Sequence, residues 1–175
     1  KAADQGHADA QYNIGQMYDE GEGVTQDHEQ AAYWYGNSAI QGHADAQNNL
    51  GYLYRNGEGV TKDYKQAVYW YRKAADQGDE YAENNLGYMY HMGYGVTKDY
   101  KQAVYWYRKA ADQGNADAQY NLGEVYDTGG EGVLQDYKKA VYRYRKAADQ
   151  GNTHAQNNLG KMYENAKGVA QDYKQ

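Results

Sequence analysis

Apolar and small side chains recur along this chain in two alternating stripes. In the first, Ala10, Ile14, Met17 and Tyr18 fall at i, i+4, i+7 and i+8, the spacing that puts side chains on one face of an α-helix. In the second, Ala67, Trp70, Tyr71, Ala74 and Ala75 fall at i, i+3, i+4, i+7 and i+8. The first kind of stripe starts after His7, His43, Asp79, Asn115 or Asn152. Asp and Asn accept well from the free N–H groups of a first turn, and His does so poorly. It closes at Gly21, Gly57, Gly93 and Gly129 or Gly130, residues free to take the left-handed conformation that ends a helix. Ala166 stands there in the last unit, and weakens that stop. The second kind opens at Asp27, Asp63, Asp99 and Asp136, and Gln30, Gln66 and Gln102 follow three positions on, a capping-box-like pattern.

The helix pair is a repeating unit. A Gly-Val pair recurs at Gly23, Gly59, Gly95, Gly132 and Gly168, at spacings of 36, 36, 37 and 36, and the 20 residues from Gly59 recur unchanged from Gly95. The extra residue of the fourth unit falls in its Gly-rich turn, where insertion costs little. A pair this thin cannot bury its stripe alone, but stacked copies can, with Gly and Ala allowing close approach and Tyr and Trp filling the gaps. The expected fold is all-α: a right-handed alpha-alpha superhelix, or solenoid, of about five 36-residue helix-turn-helix repeats forming a single domain over 1–175. Residues 1–6 read as the end of a preceding repeat. Whole repeats follow at 7–42, 43–78, 79–114 and 115–151, and an incomplete last repeat at 152–175. No polar cap covers either end, so weak end-to-end self-association through the terminal stripes is expected.

Composition narrows the function. The 24 acidic and 18 basic residues give a net charge of -6, against a general nucleic-acid binder, which relies on Lys and Arg to neutralise phosphates. No stretch approaches 18 apolar residues, so no membrane insertion is expected. The absence of Cys removes disulfides and zinc–thiolate sites and leaves the compartment open. The mean hydropathy of -1.16 is low for a folded chain, but 23 Tyr supply a core whose hydroxyls reach the surface.

The motif Ala118-Gln119-Tyr120-Asn121-Leu122-Gly123, together with the run from Asp63-Tyr64 to Gly78, resembles the Sel-1-like repeat family, a relative of tetratricopeptide repeats. The resemblance covers nearly the whole chain about five times over. It implies a scaffold for protein complexes rather than one particular ligand. Some bacterial relatives carry a Cys pair in each repeat; this chain lies outside that class.

Comparison of the repeats with one another locates the candidate surface. Ala10, Asn13, Ile14, Gly15 and Tyr18 scarcely change between units, whereas positions equivalent to 9, 12, 16, 19 and 20 change freely. Those five lie within a stripe about 100° wide, and in the tetratricopeptide relatives the matching face lines a concave groove. Candidate partner-binding residues on it are Asp9, Tyr12, Gln16 and Asp19; Asn48, Tyr52 and Arg55; Asn84, Tyr88 and His91; Asp117, Tyr120, Glu124 and Asp127; and Asn157 and Lys161. With Glu20, Asp45 and Glu164 included, this face carries eight acids and two bases. That difference equals the net charge of the chain, so the excess negative charge is concentrated here among Tyr rings. A basic protein or peptide is the expected partner, steered by charge and held by aromatic area.

Other readings have less behind them. An enzyme-associated or polysaccharide-binding segment, or a passive spacer, remains as an alternative, but Ser38 is the only Ser and no phosphate-binding loop is present. No cofactor or metal site is expected: the five His lack ligand spacing, and the segment from Asp127 to Glu131 reads as a lengthened turn rather than a calcium loop. The Asn at 13, 49, 85, 121 and 158 reads as a structural bond to a neighbouring repeat, and the Trp at 34, 70 and 106 as packing.

Overall fold

The computed structural model describes residues 7–169. Within them run nine helices: α1 (Ala8–Glu20), α2 (His28–Ile40), α3 (Ala44–Asn56), α4 (Tyr64–Ala75), α5 (Glu80–Met92), α6 (Tyr100–Gln113), α7 (Ala116–Thr128), α8 (Tyr137–Asp149) and α9 (Thr153–Glu164). Each packs on the next in sequence, and α5 also touches α7. The result is an α-helical solenoid. The helix ends expected at residues 1–5 and 172–175 lie outside the described residues.

The caps follow their side-chain chemistry. His7 makes no cap bond, His43 accepts from the Ala46 N–H at 3.3 Å, and Asp79, Asn115 and Asn152 accept at 2.6, 2.8 and 2.9 Å. Asp27, Asp63 and Asp99 each accept from two N–H groups of the following turn. The reciprocal half of the expected capping box is absent at Gln30, Gln66 and Gln102. The N–H groups of Asp27, Asp63, Asp99 and Asp136 instead donate to the carbonyls of Tyr18, Tyr54, Tyr90 and Tyr126 at 2.8 to 3.0 Å. A backbone bond to the preceding helix thus satisfies the donor and sets the angle between the paired helices.

The interior is built on one contact repeated four times. An ideal Cβ on Gly15, Gly51, Gly87 or Gly123 would lie 2.5 to 2.8 Å from a ring carbon of Tyr35, Tyr71, Tyr107 or Tyr144 respectively. Each of these rings is no more than 1% exposed. The missing side chain on the first helix is therefore the seat of the Tyr on the second. The turn glycine has a different task. A Cβ on Gly59 or Gly95, both at positive φ, would meet backbone of His28 or Tyr64 in the preceding repeat at 2.0 or 2.3 Å, so the turn lies directly on the next-door helix start.

Two expectations shift in detail. On α4 it is Val68, not Trp70, that completes the buried face; Trp70 and Trp34 are half-buried and only Trp106 is buried. Each Trp meets the preceding exposed Tyr edge-on, with centroids 4.9 to 5.2 Å apart. Met17 is 40% exposed where its equivalents Leu53 and Met89 are fully buried. Among the described residues α1 has its main packing on α2, on one side, whereas α3 lies between α2 and α4 and α5 between α4 and α6. The extra residue of the fourth unit lies in a short reversal in which Gly130 and Val133 exchange backbone hydrogen bonds.

Ala166 keeps the geometry of the glycine it replaces, at φ 52°, the sole non-glycine residue with positive φ among those described. An L side chain there costs roughly 1–2 kcal/mol. Ala166→Gly is expected to slow amide exchange in the last turn of α9 by about tenfold, measured residue by residue; unchanged exchange would show that the strain is relieved elsewhere.

Candidate functional site

The first helices of successive repeats, α1, α3, α5 and α7, present their variable faces to a common cleft of about 470 Å³. Of the candidate residues, Tyr12, Gln16, Asn48, Tyr52, Arg55, Asn84 and Asp117 line it, joined by Asp45, Tyr81 and the cap residue Asp79. Glu124, Asp127, Tyr88 and His91 lie on the same helices outside that lining, and Asn157 and Lys161 stand exposed on α9. None of the candidate residues is buried.

Stacking does not leave this face wholly free. Asn85 donates to Asn48 at 3.0 Å and Asn121 donates to Asn84 at 2.9 Å, each from one repeat to the one before. Asn49 and Asn158 play the same part toward the hydroxyls of Tyr12 and Tyr120. The recurring Asn is thus an inter-repeat tie, and the variable residue at position 12 of each unit is its partner. A second row of ties joins Asn152 to Asp117 at 2.9 Å, and His43 to Asp9 at 3.6 Å with its ring stacked on Tyr12. Position 19 of each unit faces the seated Tyr. Tyr35 donates to Asp19 at 3.2 Å, and Tyr107 meets His91 at 3.5 Å.

The electrostatics of the cleft follow from crowding of like charge. Burial, and after it the nearby Asp45 carboxylate, holds Asp79 above the usual carboxylate range, although the cap bond from Ala82 pulls the other way. Burial and the Glu124 carboxylate push the Tyr120 hydroxyl up to about 12. Burial, then Lys98, lowers His91 below the ordinary imidazole value. Arg55 is the one cationic side chain in the lining, held with its guanidinium carbon 5.1 Å from the Tyr52 ring centroid and 5.8 Å from that of Tyr88.

The Sel1 repeat pattern matches this chain five times in succession, over residues 8–43, 44–79, 80–115, 116–152 and 153–175. The chain belongs to the Sel1 repeat family. Solved structures share its course. A protective antigen of uropathogenic Escherichia coli, c5321, is 43% identical over 98% of this chain and 37% of its own, with a TM-score of 0.92. A Sel1 repeat protein from Oxalobacter formigenes is 43% identical over 95% of this chain and 66% of its own, with a TM-score of 0.88. An immunity protein of Pseudomonas aeruginosa, Pa5087, is 26% identical over 93% of this chain and 60% of its own, with a TM-score of 0.61. This Sel1 array thus spans between about a third and two thirds of the length of these relatives. No curated protein sequence matches it. Sel1 repeat proteins act in general as scaffolds for protein interaction, typically without catalysis of their own. Among the described residues no helix is long and apolar enough to cross a membrane.

Sequence reasoning missed two contributors. Asp79 was read as a cap alone, yet it lines the cleft, because the start of each first helix lies beside that of the repeat before. The column Gln11, Gln47, Glu83 and Gln119 is buried. Gln47 donates to Ala39 and Gln119 to Ala111, each tying one repeat to the previous. The recurrence of Gln at a 36-residue interval was the available signal.

Proposed function

We propose that this Sel1 array holds a basic segment of a protein partner along the cleft lined by its first helices. One observation supports the reading above all: Asp45, Asp79 and Asp117, from three successive repeats, share a single cleft with Tyr12, Tyr52 and Tyr81. Carboxylates so placed accelerate encounter with a cationic chain and reject an acidic one. The rings add contact area at little cost in rotamer entropy. The raised Asp79 takes up its proton at a higher pH than an ordinary carboxylate, so the cleft gives up part of its negative charge there as pH falls.

The test removes charge without removing caps. Asp45→Asn, Asp79→Asn and Asp117→Asn together keep a capping side chain at 79, as Asn115 shows in the next repeat. Binding of a fluorescent peptide of alternating Lys and Ser is expected to weaken by about tenfold or more in dilute buffer, and its salt dependence to flatten. Equal affinity of the triple variant and the parent would rule the reading out.

A further inference from the structure

Arg55 is out of keeping with its surroundings. The position it occupies faces the seated Tyr of its own repeat, and the first and third repeats fill that position with groups able to accept, Asp19 beside Tyr35 and His91 beside Tyr107. In the second repeat the hydroxyl of Tyr71 faces a guanidinium, which can only donate. The Tyr71 ring is fully buried, and its hydroxyl has no hydrogen-bond partner. In the first and fourth repeats the recurring Asn of the next unit also reaches the seated Tyr, Asn49 to Tyr35 and Asn158 to Tyr144. Its counterpart Asn85 is taken up by Asn48.

Arg55 is equally short of an acceptor. Its Nε donates to Asn56 at 3.3 Å, and it forms no ion pair with any described carboxylate. Tyr52 and Tyr88 hold the guanidinium from two directions, which lowers the entropy lost when it engages a ligand. The guanidinium therefore lines the cleft charged and pre-oriented, with no described carboxylate to accept from it.

We propose that Arg55 forms a carboxylate-binding subsite in the cleft, which takes an Asp or Glu side chain of the bound segment. The subsite rests on the cleft reading above for the course of that segment, and it fixes register within it: basic residues lie against Asp45, Asp79 and Asp117, and one acidic residue lies against Arg55. A carboxylate accepts from two N–H groups of the guanidinium at once, in the bidentate manner suited to that fork.

Four acetylated and amidated heptapeptides separate this subsite from the cleft reading. They carry a central Asp or Asn between flanks of either alternating Lys and Ser or Ser alone, and binding is followed by calorimetry and by the side-chain Nε–Hε resonance of Arg55. The Asp peptide is expected to bind about tenfold more tightly than its Asn counterpart in each pair and to shift that resonance. The preference falls below about twofold in Arg55→Gln and is kept in Tyr71→Phe, while the gain from Lys flanks persists in both variants. Tyr71→Phe keeps the ring on Gly51, and circular dichroism confirms its fold. Equal binding of Asp and Asn peptides overturns the subsite, whatever the flanks do. A lack of gain from Lys flanks overturns the cleft reading alone, and a failure of all four to bind overturns both.

Discussion

Gly87→Ala is expected to destabilise the array by about 2 kcal/mol, whereas Gly160→Ala is expected to stabilise it by about 1 kcal/mol. The two glycines stand in the same motif, Asn85-Leu86-Gly87 and Asn158-Leu159-Gly160, and each is inside a helix, where Ala is intrinsically favoured by about 1 kcal/mol. At Gly160 no described residue comes within 4 Å of the added methyl, so propensity acts there without a clash. At Gly87 the methyl would lie 2.7 Å from Cδ1 and 2.9 Å from Cε1 of Tyr107. That ring is fully exposed to packing on every side and 0% exposed to solvent, so it has no room to withdraw. Overpacking of this kind costs roughly 1–3 kcal/mol, occasionally more, and outweighs the helix preference. Urea unfolding of the two variants measures both shifts. If their midpoints moved in the same direction, the Gly–Tyr seat would not be what holds the paired helices together.

Lys109→Met is expected to cost about 2 kcal/mol, and almost nothing once Glu83 is replaced by Gln. Glu83 is fully buried, with Lys109 Nζ 2.7 Å from its Oε1 and Gln113 donating to its Oε2 at 2.9 Å. Loss of one partner of a buried pair costs about 3–5 kcal/mol. Lys109 is 38% exposed, so part of its charge is already screened and the lower figure applies. Glu83→Gln alone is expected to be neutral or mildly stabilising, because an amide is the side chain at this position in the repeats on either side, where Gln47 and Gln119 donate to the helix-end carbonyls of Ala39 and Ala111. A carboxylate cannot make that donation. A double-mutant cycle on urea unfolding checks the pair: additive losses would show that Lys109 acts through its packing on Trp106, with Nζ 4.9 Å from the ring centroid, and not through Glu83.

Much of the candidate site was legible in advance because variation between the repeats reports which side chains stacking tolerates. Tyr12, Asn48, Tyr52, Arg55, Asn84 and Asp117 were chosen on that ground and lie together in one cleft. The same reasoning overstated their freedom. Asn48 and Asn84 vary because Asn and Tyr both satisfy the tie from the next repeat, not because nothing touches them. Variation between copies shows that alternatives exist, and does not show that a position is empty of contacts. Trp70 was misjudged for a related reason. Helical spacing alone places Trp70 and Val68 equally well near the buried face, and only the neighbouring repeat decides which of them it covers.

The order of residues by itself determined the repeat period, the pairing of helices within each unit and the positions of their caps, because these rest on local backbone chemistry and on a 36-residue recurrence. Only the tertiary structure decided which donors find acceptors between repeats. Asn85 reaches Asn48, 37 residues away, while the buried Tyr71 hydroxyl in the same repeat as Asn48 finds no partner. That outcome depends on how one copy lies against the next, a geometry no single repeat contains.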